Sequence, residues 1–266
     1  MSDGFGPAAR IATWLRAFAV ATWLQVRARE SRALLVLGIV QPATFLAITL
    51  LARRGGSTPA PATVALGVGL AALWGTTIWQ SGTILRIERW QGTLPMVVMR
   101  PAGLAPVLIG KSLGETLLAA VLITATVSVG SAAAGGPIAV AHVPEFAAAV
   151  VAVFVSATVL GLLLSCIFVL TRAATRISEA LVYPVFVLGG LIVPLSLLPS
   201  FVRPASWVVS LRWGGELLRA AQRGDPQSLR AWLLLGLTTA TYAAVAHVAY
   251  GRVLERVRRK GTLDVL

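Results

Sequence analysis

The sequence predicts an all-α integral membrane protein: six transmembrane helices, an N-terminal amphipathic interfacial helix, and a re-entrant or outer helical hairpin between helices five and six. Three observations carry this. The 266 residues are 57% apolar and only 12% charged, with mean hydropathy +0.82, whereas a soluble domain carries about a quarter charged residues. So few charges cannot cover a water-soluble globule of this size, and the ordinary apolar medium is a bilayer. The apolar residues also fall into runs near the roughly 20 residues that cross about 30 Å of hydrocarbon as helix. Finally, the basic residues cluster between those runs. The net charge of +13 therefore reads as the flanks of membrane spans; a nucleic-acid surface would gather its arginines along one face.

The first element, residues 7–30, places Ile11, Trp14, Leu15 and Phe18 at helical spacing, with Arg10, Thr13 and Arg16 around the rest of the wheel. Tryptophan and arginine on an amphipathic helix suit the membrane surface. The alternative, a seventh span, would put Arg16, Gln25 and Arg27 into hydrocarbon at considerable cost. No secretory signal is expected, because the first long apolar run begins after Arg32. The spans are expected at about 33–52, 62–84, 112–134, 146–171, 180–198 and 231–251. The fifth contains Pro184 and Pro194, which remove amide donors and let a helix bend. Residues 199–229 are too polar to cross alone yet carry Trp207, Leu211, Trp213, Leu217 and Leu218. Short half-apolar pieces between prolines and glycines read as a hairpin packed against protein, since irregular backbone at membrane depth survives only there or beside water.

Six spans put both termini on one side. Sixteen lysines and arginines fall on the terminal side and seven on the other, so both termini are expected in the cytoplasm. Arg203, Arg212, Arg219, Arg223 and Arg230 run against that bias and mark the last connection as unusual.

Motifs of catalysis are missing from this pattern. Gly110-Lys111-Ser112 resembles the end of a phosphate-binding loop, but Ala105 stands where its first glycine belongs and Pro106 follows. Lys111 reads instead as the cytoplasmic end of a span. His142 and His247 have no metal-ligand spacing to each other or to a carboxylate, and His247 is expected to bond inside the bundle. Glu115 and Glu179 lie near the cytoplasmic ends of spans, which weighs against a proton relay at mid-membrane. Cys166 reads as a small buried hydrophobe. Gly110 and Gly114 form a small-residue pair that permits close helix packing.

The stretch ERWQGTLPMVVMRPAG, from Glu88 to Gly103, resembles the signature of ABC-2 type exporter permeases, roughly E-R-x-x-G-T-L-E-x-L-x-x-x-P after the second span. Glu88, Arg89, Gly92, Thr93, Leu94 and Pro101 match; Pro95 replaces the family's second glutamate. Gly190, Pro194, Leu198 and Pro199 resemble the family's fifth-span pattern, and the order of elements is similar over essentially the whole chain. The resemblance implies a transporter subunit, not an enzyme, in a bacterial inner membrane. It would bind no cofactor itself; ATP and Mg would sit on a separate ATPase partner. Residues 85–99 would form a coupling helix docking that ATPase, with Glu88 and Arg89 making charged contacts, Trp90 anchoring at the interface, Gly92 turning the chain, and Thr93 and Leu94 completing the motif. Pro95 would alter the docking geometry; it reads as tolerated variation in a homodimer, the alternative being a chain that pairs with a non-identical permease carrying the intact motif.

The implied function is ATP-driven export of a hydrophobic or amphiphilic compound by a homo- or heterodimer, along a path between the first, second and fifth spans. Trp74, Trp79, Tyr183 and Phe186 are the candidate lining, against ordinary packing. Pro199, Trp207, Trp213 and Glu216 belong to the hairpin that would cap the exit. A polysaccharide or glycolipid exporter is the alternative. A membrane-embedded lipid-modifying enzyme would need clustered acidic or histidine side chains, which the sequence does not offer.

Overall fold

The computed structural model describes residues 7–27, 36–44, 46–47, 61–133, 139–191 and 198–260, which form helices and turns without a strand. The α-helices are α1 (Pro7–Arg27), α2 (Pro61–Trp79), α3 (Ile84–Trp90), α4 (Leu94–Val98), α5 (Leu104–Ala133), α6 (Val143–Leu170), α7 (Ala174–Leu188), α8 (Ser210–Arg223) and α9 (Leu229–Lys260). Tighter 3-10 turns occupy Ser81–Thr83 and Arg203–Val208, and a π-helical turn occupies Val36–Val40.

Among the described residues, four helical stretches are long and apolar enough to cross a membrane: Ala62–Trp90, Leu104–Ala132, Val143–Leu170 and Leu229–Val257. They correspond to the second, third, fourth and sixth expected spans. Of the first, 36–44 and 46–47 are described and helical. The fifth is described as the 15-residue α7, which contains Pro184; residues 192–197, with Pro194, lie outside the described residues, as do Arg53 and Arg54. The helices outrun the apolar runs that announced them. α5 begins at Leu104 and has 30 residues, about 45 Å against roughly 30 Å of hydrocarbon. Apolar runs mark the hydrocarbon, whereas the backbone ladder continues into the interface. The second span likewise does not stop at 84: it bends through Ser81–Thr83 and continues as α3.

Two apolar cores hold the bundle. The larger joins α2, α5, α6, α7, α8 and the start of α9 around Ile78, Phe168, Leu211 and Leu217. The smaller lies around the segment between the second and third spans and joins α1, α3, α4, α5, α6 and α9 around Leu85, Leu94, Leu104, Val169 and Val253. Cys166 is buried in it, as a small hydrophobe. The hydroxyls of Thr76, Thr77, Thr116, Thr158, Thr238 and Thr239 bond back to carbonyls three or four residues earlier, so they cost little in an apolar surrounding.

α1 lies against α5 at the small-residue pair. A Cβ on Gly110 would sit 2.5 Å from the Phe18 carbonyl oxygen, and one on Gly114 3.0 Å from that of Thr22. Gln25 Nε2 donates to Glu115 Oε1 at 2.6 Å across the same contact. Thus Phe18, Ala21, Thr22 and Gln25 form the seat, while Ile11, Leu15, Trp23 and Leu24 are exposed. This corrects the expected apolar face: Phe18 belongs to the protein side, stacked on Trp14 at 5.7 Å. His247 is also corrected, since it stands on the exposed face of α9.

α8 packs its Leu211, Trp213, Leu217 and Leu218 onto α6, α9 and α2, leaving Glu216 exposed. A Cβ on Gly214 would fall 2.3 Å from Val153 Cγ2. Val153 is ten residues into α6, about 15 Å along its axis, so α8 does not merely rest on the bundle's end.

Candidate functional site

The segment between the second and third spans is built from two short helices. α3 ends on a pair of hydrogen bonds: Gly92 N–H donates to the Arg89 carbonyl at 3.1 Å, and Thr93 N–H to the Glu88 carbonyl at 3.0 Å. That pair requires a left-handed residue between them, and Gly92 supplies it with φ +69°. The spacing E-R-x-x-G-T is thus a helix terminator written in sequence. α4 starts at once, and Pro95 sits in its first turn, where no amide partner is needed. The expected single coupling helix over 85–99 is therefore an elbow, α3–turn–α4.

The side chains lock it. Glu88 is buried; Lys111 of α5 pairs with its Oε1, and the Thr93 hydroxyl lies within bonding reach of its Oε2 and its carbonyl oxygen. Leu94 is buried beneath. Arg89 donates to the Val169 carbonyl at 3.3 Å, and Arg256 of α9 to that of Leu170 at 3.1 Å. These are among the last carbonyls of α6, which have no partner within the helix and attract cations. Arg86 bonds the Thr175 hydroxyl of α7 at 3.0 Å, and Leu85 N–H donates to Ser165 Oγ at 3.1 Å. The elbow is thereby tied to α5, α6 and α7.

What remains outward is mainly apolar, with Gln91 and Arg100 also exposed. Trp90 is 89% exposed, Met99 83% and Met96 70%. Of the residues singled out from sequence, the structure brings Glu88, Arg89, Thr93 and Leu94 inside and leaves Trp90 out. Lys111 was read only as a span end; what could have exposed its role is the need of a buried carboxylate for a cation on the neighbouring helix.

The four aromatics considered for a path separate. Trp74 and Phe186 are buried in the larger core, Trp79 is partly buried against it, and Tyr183 is exposed at an edge-on 6.5 Å from Phe186. Trp74 Nε1 and Gln41 Oε1 are buried with no hydrogen-bond partner among the described residues; Gln41 lies against Gly75 of α2. Sequence reading missed Gln41.

At the other end, Arg212 stands over the Trp213 ring at 4.3 Å, Arg230 over Trp207 at 4.9 Å, and the two indoles meet edge-on at 6.1 Å. Trp213 Nε1 donates to the Trp207 carbonyl at 3.1 Å, and Tyr242 of α9 donates to that of Val208. Arg203 donates to the Leu198 carbonyl beside Pro199 at 3.0 Å, and Arg223 pairs with Asp225 at 2.8 Å. Burial draws the Arg212 and Arg219 guanidinium groups below their ordinary range, with Glu216 opposing. The arginines that broke the charge bias therefore serve as local structure.

The model of one family, described as ABC-2 type transporter, matches residues 16–222. No curated protein matches the chain.

Proposed function

The chain belongs to the ABC-2 type transporter family, and from that premise we propose that it is the permease subunit of an ATP-driven exporter whose elbow receives the motion of a separate ATPase. The supporting observation is the inversion of the elbow: Glu88 is spent inside on Lys111, Arg86 and Arg89 bond neighbouring helices, and the exposed tip carries Trp90, Met96 and Met99 beside Gln91 and Arg100. Tryptophan and methionine are over-represented at protein interfaces, and a tip braced on α5, α6 and α7 passes a push to three spans at once. In this reading Glu88, Lys111 and Thr93 keep the elbow rigid, while the ATPase grips Trp90. Pro95 opens α4 without strain, so it needs no non-identical partner to explain it.

The exported compound is hydrophobic or amphiphilic. The buried Trp74 indole N–H and Gln41 amide oxygen, unpartnered among the described residues, are a donor and an acceptor in the region expected to face the path, and buried polar groups ordinarily have partners. The exposed stripe Glu179, Tyr183 and Val187 on α7 suits the second permease of a dimer. α8, seated deep beside Val153, forms the re-entrant cap at the extracytoplasmic exit, with both termini in the cytoplasm of a bacterial inner membrane.

The test is co-purification in mild detergent. Trp90→Ala with Met99→Ala is expected to leave the permease folded and to release the ATPase. Retention of the ATPase with unchanged transport-stimulated hydrolysis contradicts the assignment.

A further inference from the structure

We propose that the half of the bundle nearest α8 holds one acyl chain of a bilayer phospholipid, in a cavity between α2, α5 and α6 that the transport reading leaves unused. The cavity has a volume of about 520 Å3, inside the range of about 300–1,000 Å3 typical of small-ligand sites. Its walls are Leu66 and Gly69 of α2, Val127 of α5, and Ala147, Val150 and Phe154 of α6; Thr124 and Ser128 are the polar side chains among its lining residues.

Three features select the occupant. The lining is apolar apart from the two hydroxyls of Thr124 and Ser128, so water filling this space would leave most of its hydrogen bonds unmade, while leaving it empty forfeits packing contacts. The end nearest α8 is roofed: Val140 and Leu218 line it, and Ala141 N–H and His142 N–H donate to the Gln222 and Ala221 carbonyls at 3.3 and 3.1 Å. The side is open, because Val151 lines the cavity and is 63% exposed. Access is thus lateral, from the hydrocarbon, where alkyl chains are the neighbouring material. A Cβ on Gly69 would lie 3.6 Å from Ile123 Cγ2, so α2 is not forced to glycine there by contact; the missing side chain leaves room.

The inference needs the spans to lie in a membrane, not the ATPase contact, so the two can fail separately. Vesicles containing the assembled transporter and a phosphatidylglycerol with a diazirine at mid-chain are illuminated, and labelled peptides are mapped. Label is expected over 123–128 and 147–154, above that on the lipid-facing residues 233–237 of α9. Gly69→Leu is expected to lower cavity labelling about tenfold, the equivalent of about 1.4 kcal/mol, while the label on α9 stays. No enrichment in the unsubstituted protein, or undiminished cavity label in a folded Gly69→Leu variant, overturns the proposal. So does labelling of the cavity by a diazirine fatty amine but not by the phospholipid, which would assign it to a cargo tail.

Discussion

The elbow between the second and third spans and the hairpin before the last span are made of similar residues and solved in opposite ways. Both connect spans, both mix glycine, proline, arginine and tryptophan. The hairpin turns its indoles to its own arginines and core: Trp213 is 3% exposed, and Trp207 lies under Arg230. The elbow does the reverse, burying Glu88 with Lys111 and presenting Trp90 to the outside. The hairpin still leaves Phe201 82% and Val208 66% exposed, but each of its indoles lies under an arginine, whereas Trp90 is 89% exposed. In the proposed reading the elbow is the one that awaits a partner: it ties Glu88 to Lys111 and leaves Trp90 outward on a braced turn.

The contrast can be broken most forcefully at the hairpin. Trp213→Ala removes a buried indole and its bond to the Trp207 carbonyl, and is expected to cost about 3–5 kcal/mol, read as a large drop in thermal midpoint with the ATPase still bound to whatever remains folded. Next comes Glu88→Ala, which strands Lys111 and is expected to cost about 3 kcal/mol. Glu88→Met with Lys111→Met together should recover much of that loss; a double variant no better than Glu88→Ala alone would show that the pair is not the lock. Gly92→Ala forces an alanine to φ +69° and is expected to cost about 1–2 kcal/mol, with nothing near its Cβ to add to the strain. The smallest effect is Arg223→Ala, whose exposed pair with Asp225 should be worth less than about 1 kcal/mol.

Much of this was legible from residues. Four spans, the α1 helix and the amphipathic character of α8 follow from runs and spacing that report directly on which surface is buried. The seat of α1 on Gly110 and Gly114 was foreshadowed, because close approach leaves a small-residue trace. The direction in which charged residues point was not legible. Glu88 and Arg89 read as surface charges because a sequence shows type and not partner: Lys111 is 23 residues away and the Val169 carbonyl is 80. For the same reason five arginines around the hairpin looked like a topological anomaly until Arg203, Arg212, Arg223 and Arg230 were seen with a carbonyl, ring or carboxylate. Helix ends were missed where hydropathy falls before the hydrogen-bond ladder stops.

The central claim is that Trp90 meets an ATPase on the cytoplasmic side, and cysteine accessibility at that position tests it most directly. Cys166 is 1% exposed, so Trp90→Cys offers a membrane-impermeant thiol reagent its readiest target. In inside-out vesicles the account predicts rapid labelling when the permease is alone and protection when the ATPase is present. Labelling from the outside of intact cells, or labelling that the ATPase leaves unchanged, would contradict it.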